Sequence, residues 1–149
     1  MMVEIIVAAS IIVISVLAAM AVTAKSIAFS HQAVHSAQAT FLLEEGAEAT
    51  RIFRDNAWSN ISGLTVGTNY YPVYSGGTWT FPTEVSTVGI FTRTMTIANV
   101  NRDNTTADIV SSGGTLDAGT KLITITVSWL EHGVTVTKTL QFYLADIFS

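Results

Sequence analysis

Apolar residues run unbroken near the start of the chain, recur at helical spacing in its second quarter, and alternate with polar ones thereafter. From Ile5 to Ala24 the sequence reads IIVAASIIVISVLAAMAVTA, twenty residues without a charge. A helix of that length spans a hydrocarbon core of about 30 Å. From Lys25 to about Ala57 there is no proline, and apolar residues return at Ile27, Val34, Phe41 with Leu42, Ala49, and Ile52 with Phe53. They sit among Lys25, His31, Gln32, His35, Gln38, Glu48, Arg51 and Arg54, the pattern of an amphipathic helix. Glu48 with Arg51 and Arg51 with Asp55 are spaced to pair along it. Gly46 interrupts the run at a cost of about 1 kcal/mol relative to alanine, and marks a bend or a close approach of another backbone. The pattern predicts one helix from Glu4 to about Ala57, roughly 80 Å long at 1.5 Å per residue. That is too long to be the core of a 149-residue globule.

After Asn60 the period becomes two. Tyr70–Tyr74 and Thr78–Phe81 flank Ser75-Gly76-Gly77 and predict a short hairpin, with Pro72 suited to an edge. Phe91 to Val100 reads as a strand. Lys121 to Leu130 is the clearest, with Ile123, Ile125, Val127 and Trp129 on one side and Thr124, Thr126 and Ser128 on the other. Glu131-His132-Gly133 connects it to Val134–Leu144, where Val134, Val136, Leu140 and Phe142 share a face. Residues 101–120 read mostly as loop. The fold class is therefore α+β: a long N-terminal helix, apolar then amphipathic, on a small C-terminal antiparallel sheet. The expected organisation is an apolar helix over 1–25, its amphipathic continuation over 26–58, and a β-sheet head over 59–149. The apolar stripe of the helix is the natural cover for the sheet.

Composition narrows the function. Charged residues make up 12% of the chain and hydrophobic ones 49%, against roughly 25% charged in ordinary domains. Net charge is −4, and the seven basic residues form no run, so no nucleic-acid partner is expected. With no cysteine, disulfides, thiolate metal sites and a cysteine nucleophile are excluded. The opening Met-Met-Val-Glu carries an acid where a secretory signal has basic residues, which disfavours a cleavable signal. No nucleophile–base pair, phosphate loop or carboxylate pair stands out; an enzyme is not expected, and no cofactor is implied.

The segment Met2-Val3-Glu4-Ile5-Ile6-Val7-Ala8-Ala9-Ser10 resembles the start of a mature type IV pilin or type II secretion pseudopilin. Phe41-Leu42-Leu43-Glu44-Glu45-Gly46-Ala47-Glu48-Ala49, followed by Arg51-Ile52-Phe53-Arg54-Asp55, is similar to the amphipathic half of such chains, and the Thr-rich strands around Val127-Ser128-Trp129 are similar to their closing strands. The resemblance implies the pilin fold, processing and N-terminal methylation by prepilin peptidase, and residence in the inner or cytoplasmic membrane. Assembly machinery then builds a homopolymeric extracellular filament at the cell surface, of the kind used in adhesion or motility. A minor pilin, a secretion pseudopilin, or a single-span surface-binding protein are the alternatives. Three departures stand out. Glu4 lies one residue earlier than the family places its glutamate, implying a residue before Met1 or a shifted cleavage. The apolar half lacks proline and glycine, implying a more continuous helix. The C-terminal disulfide loop is absent.

A carboxylate inside an apolar bundle must be paired, and a neighbouring subunit's terminal amine would pair with Glu4 and set axial register; the simpler reading is that Glu4 only favours the helix dipole. Ile5, Ile6, Ile12, Val13, Leu17 and Met20 are the expected assembly contacts, interleaved with Ala8, Ala9, Ser10, Ser15, Ala18, Ala19 and Ala21, a texture suited to close helix packing. His31 and His35 share a helix face without the rest of a zinc motif. Asp103, Asn104, Asp108 and Asp117 are a weak calcium candidate without EF-hand spacing; no metal site is expected. Asn60 and Asn104 head glycosylation sequons.

Overall fold

The computed structural model describes residues 2–147. Helix α1 runs unbroken from Met2 to Asn56, with Glu4 in its first turn and Arg54 in its last, each placed to complement the helix dipole. The chain divides into two compact units, Met1–Gln38 and Ala39–Ser149.

The described residues of the first unit, 2–38, are all helical. The unit's large apolar side chains from Met2 to Val22 are all more than half exposed. The helix is long and apolar enough to cross a membrane by length and composition. Its hydroxyls are satisfied locally: Ser10 Oγ donates to Ile6 O (2.8 Å), Ser15 Oγ to Ile11 O (2.7 Å) and Thr23 Oγ1 to Ala19 O (2.9 Å). Bonded back to the preceding turn, these hydroxyls would leave no orphan donor in an apolar medium.

Within the second unit the remainder of α1 is followed by a five-residue helix α2 (Trp58–Ser62) and a two-stranded hairpin, β1 (Val73–Ser75) with β2 (Thr78–Thr80). Gly76 and Gly77 turn that hairpin with φ of 60° and 84°, the left-handed backbone its tight loop requires. The main antiparallel sheet has the order β3 (Thr87–Val88), β4 (Phe91–Arg102), β6 (Thr115–Glu131), β7 (Val134–Ala145), and β5 (Ile109–Val110) pairs with the far end of β4. The β6–β7 turn holds His132 and Gly133 at φ 50° and 82°, so the strands meet without a bulge, with Glu131 opposite Val134.

One sheet face is a core. Met95, Ile97, Ile123, Ile125 and Val127 are fully buried or nearly so, and Phe91 meets Trp129 edge-on at 5.5 Å between ring centroids. Each such aliphatic side chain contributes about 1.5–3 kcal/mol by leaving water. On β7 the core-facing row includes Lys138, opposite Val127; its Nζ donates to Thr40 Oγ1 at 3.2 Å. An inward-pointing charge on an edge strand discourages pairing with further strands.

The helix covers this face with part of the stripe that the apolar spacing predicts: Ala49, Leu42 and Phe53 pack on the sheet, whereas Phe41 and Ile52 do not. Phe41 and Ile52 are 69% and 46% exposed, and in the first unit Ile27 and Val34 are exposed as well. The buried positions are Ala39, Leu43, Gly46, Ala47, Ala49 and Thr50, flanked by Leu42 and Phe53. The reason is proximity. A Cβ on Gly46 would lie 2.9 Å from Ile125 Cγ2 and 3.2 Å from Arg93 Cδ, so only small side chains fit where the helix crosses the centre of the sheet. Gly46 is a point of close approach, and the helix continues through it.

The expected loop over 101–120 is also corrected. The register shifts at Asn99/Val100, after which Val100, Asn101 and Arg102 pair with Asp117, Leu116 and Thr115. The strands thus continue past a bulge, and Asp and Gly density there reflects the bulge and the Gly113-Gly114 turn.

Because Ile125 Cγ2 cannot rotate away from the helix without disturbing β6, Gly46→Leu is expected to destabilise the chain by about 1–3 kcal/mol. Denaturant unfolding of the detergent-solubilised protein, followed by circular dichroism, checks this.

Candidate assembly helix

At 100° per residue, Glu4, Ala8, Ile11, Ser15, Ala19 and Val22 fall along one side of the first unit's helix. Ile6, Val13, Leu17 and Met20 fall along the opposite side. Ile5 and Ile12 lie between the two. The expected assembly residues therefore do not form a single stripe with Glu4. The side carrying Glu4 alternates the small Ala8, Ser15 and Ala19 with the exposed Ile11 and Val22. The other side is a ridge of large side chains: Ile6, Val13, Leu17 and Met20 are 61%, 56%, 61% and 64% exposed, and the intervening Ile5 and Ile12 69% and 62%. Such a helix offers both small and large side chains for packing against similar helices. Glu4 is the single ionisable side chain from residue 2 through Ala24.

The other candidates lie apart from this surface in sequence and environment. His31 is exposed and His35 half-buried. No group of three or more His, Cys, Asp or Glu that could hold a metal ion occurs among the described residues. In the 101–120 region the side-chain oxygens of Asp103, Asn104 and Asp117 accept from the protein's own donors. Asp103 Oδ1 accepts the backbone N–H groups of Thr105 (2.7 Å) and Thr106 (2.9 Å), an Asx turn. The Thr106 and Thr105 amides hold the Asp103 carboxyl below its ordinary range. Asn104 Oδ1 accepts from Thr115 Oγ1 at 2.7 Å, and the Asp108 N–H donates to Thr106 Oγ1 at 3.3 Å. Asp117 takes the guanidinium of Arg102 at 2.6 Å and the N–H of Gly119 at 2.9 Å. Of the two sequon residues, Asn60 is half-buried and donates its amide to Phe53 O, whereas Asn104 is exposed.

Arg93 is the residue the sequence reading passed over. It occupies the core-facing row of β4 between Phe91 and Met95 and is 4% exposed. Its guanidinium reaches Glu45 Oε2 (2.6 Å) and Pro72 O (3.1 Å), and stands 5.4 Å from the Trp79 ring centroid. The signal was present: alternation in Phe91-x-Arg93-x-Met95-x-Ile97 puts the arginine on the apolar side.

No family model, curated protein or solved structure matches the chain. Its functional reading therefore rests on its own residues.

The Asp117 carboxyl lies below its ordinary value of 3.8, chiefly through the Thr120 hydroxyl and then Arg102. A lowered folded-state pKa stabilises the fold above 3.8, and that contribution disappears as pH falls from there through the lower folded value. The apparent melting temperature is accordingly expected to fall with pH across that window. Asp117→Asn should lower it near neutrality and flatten that part of the dependence, as thermal unfolding at a series of pH values would show.

Proposed function

We propose that this chain is a structural subunit of a type IV pilus-like filament, polymerising through the apolar part of α1 with its β-sheet unit displayed outside. The observation that carries this reading is the first unit itself: a helix with exposed apolar side chains throughout and one acid near its start. Two environments suit such a surface, a lipid bilayer and a bundle of like helices, and the reading uses both in turn. A minor pilin or secretion pseudopilin would use the same surface.

In lipid, an acid at mid-bilayer costs about 2.5–3.5 kcal/mol, and less near the interface, where Glu4 at the helix end can remain. In a bundle the carboxylate is removed from both water and headgroups and needs a cationic partner. A terminal amine of a neighbouring copy, with a reference pKa near 8, supplies one. An axially displaced copy would leave a buried charge unpaired, at a cost of about 3–5 kcal/mol, so the pair selects one register. Apolar contact alone cannot do that, because lipid tails solvate Ile and Leu as well as another helix does. For the same reason, transfer from bilayer to bundle releases little net energy, and the reading requires machinery that performs the extraction. A membrane-anchored monomer with a surface-binding sheet is the competing reading for the same span.

Electron microscopy of sheared surface material, with mass spectrometry of the N-terminus of its main component, tests the proposal. Filaments built of this chain are the expected result; recovery solely as dispersed, lipid-embedded monomers would refute polymerisation. Glu4→Ala is expected to lower filament yield by about tenfold or more, the scale of 1.4 kcal/mol per contact, with the circular dichroism of the solubilised chain unchanged. Wild-type yield from that variant would remove the register role of Glu4.

A further inference from the structure

The second unit contains a cavity of about 260 Å³ bounded by α1 at Glu45, the β1–β2 hairpin and the β3–β4 edge. Its lining combines the Arg93–Glu45 ion pair, the rings of Tyr74 and Trp79, and the hydroxyls of Ser86 and Thr87. Among the described residues, Arg93 Nε is buried with no hydrogen-bond partner in the protein. That atom is closed to solvent, and the polar side chains open to the hollow are those of Glu45, Ser86 and Thr87. Tyr74 is 61% exposed and packs at 54° against Trp79, 5.3 Å between centroids, leaving an aromatic wall at the mouth.

We infer that this cavity binds one ring of a neutral carbohydrate. The class follows from the lining. An anion would meet the Glu45 carboxylate and a cation the Arg93 guanidinium, each adding a like-charge contact. A purely apolar guest would cover the ion pair and the two hydroxyls without replacing their water. A neutral pyranose carries an apolar C–H face for the Tyr74–Trp79 wall. It also carries hydroxyls that donate to Glu45 and accept from Ser86 and Thr87, while Arg93 holds the Glu45 carboxylate in place from behind. The volume lies just below the usual range for small-molecule pockets, about 300–1,000 Å³, which fits a single ring at the end of a glycan and excludes a buried oligosaccharide. Binding at one ring is weak, so a polymer that repeats the site would gain from multivalency. The inference concerns the single chain and stands whether or not the chain polymerises.

The test uses the full chain, dispersed in a detergent without a sugar headgroup. The methyl glycosides of glucose, galactose and N-acetylglucosamine serve as neutral probes, with glucuronate and glucosamine as charged comparisons. Saturation-transfer NMR and tryptophan fluorescence report binding. Saturable binding of at least one neutral glycoside is expected near the millimolar range, exceeding that of both charged sugars. Tyr74→Ala, at an exposed position that leaves the core intact, should weaken it by about three- to tenfold. Thr137→Ala, on the far face of β7, should leave it unchanged. Saturation by none of the neutral glycosides, tighter binding of either charged sugar, or a Tyr74→Ala chain that binds like the parent would each overturn the inference. Trp79→Ala adds a second reading of the wall, and Tyr74→Ala decides the matter if that variant unfolds.

Discussion

The second unit depends on how closely a helix can approach a sheet. Gly46 brings the backbone of α1 against Ile125 and Arg93, and this contact selects the helix face that turns inward. Small residues face the sheet there because larger ones would hold the two layers apart and open voids, which a close-packed interior does not tolerate. Arg93 follows from the same geometry. Its guanidinium can bond Pro72 O and Glu45 together because the helix and the segment before β1 converge over β4. A charge buried in that position is tolerated only while those partners stay in place.

With its small side turned to the core, the helix presents large apolar residues to the outside. Phe41 and Ile52 are exposed on the second unit, and so are the large apolar side chains of the first unit from Met2 to Val34. A surface of this kind is unusual for a monomer in water and is ordinary for a chain whose neighbours are lipid or other copies. The proposed filament accounts for it through one physical arrangement: the apolar side chains pack on one another as readily as in lipid, and a single carboxylate supplies position. The sheet unit adds chemistry of a different kind. Its edge cavity pairs opposite charges with aromatic faces, a combination suited to recognition and not to assembly.

The fold class was legible in the sequence because its two periods are strong. Ile5–Ala24 has no charge to interrupt it, and proline is absent up to Pro72, so the observed helix Met2–Asn56 is the expected one within its terminal turns. The alternation Ile123-Ile125-Val127-Trp129 named the central core residues of β6. Glu4 and the apolar side chains after it were legible as a candidate surface, since an acid beside twenty uncharged residues has few uses. The inward side of Arg93 was legible from the alternation of β4, but its partners and its cavity were not. An arginine in a strand carries no local mark of what lies above it, and Glu45, Pro72 and Tyr74 are brought to it from distant parts of the chain.

What the sequence determined alone are the quantities that depend on near neighbours: the helix, the strand alternation, the Gly-Gly and His-Gly turns, and the run apolar enough for a membrane. Periodicity expresses backbone geometry and the solvation of each side chain, and both act over a few residues. Tertiary structure decided which side of α1 faces the sheet, where β4 and β6 continue past the bulge at Asn99/Val100, and which polar groups meet in the cavity. Those outcomes depend on distances between segments far apart in the chain, where excluded volume at one glycine outweighs the hydrophobicity of Phe41 and Ile52.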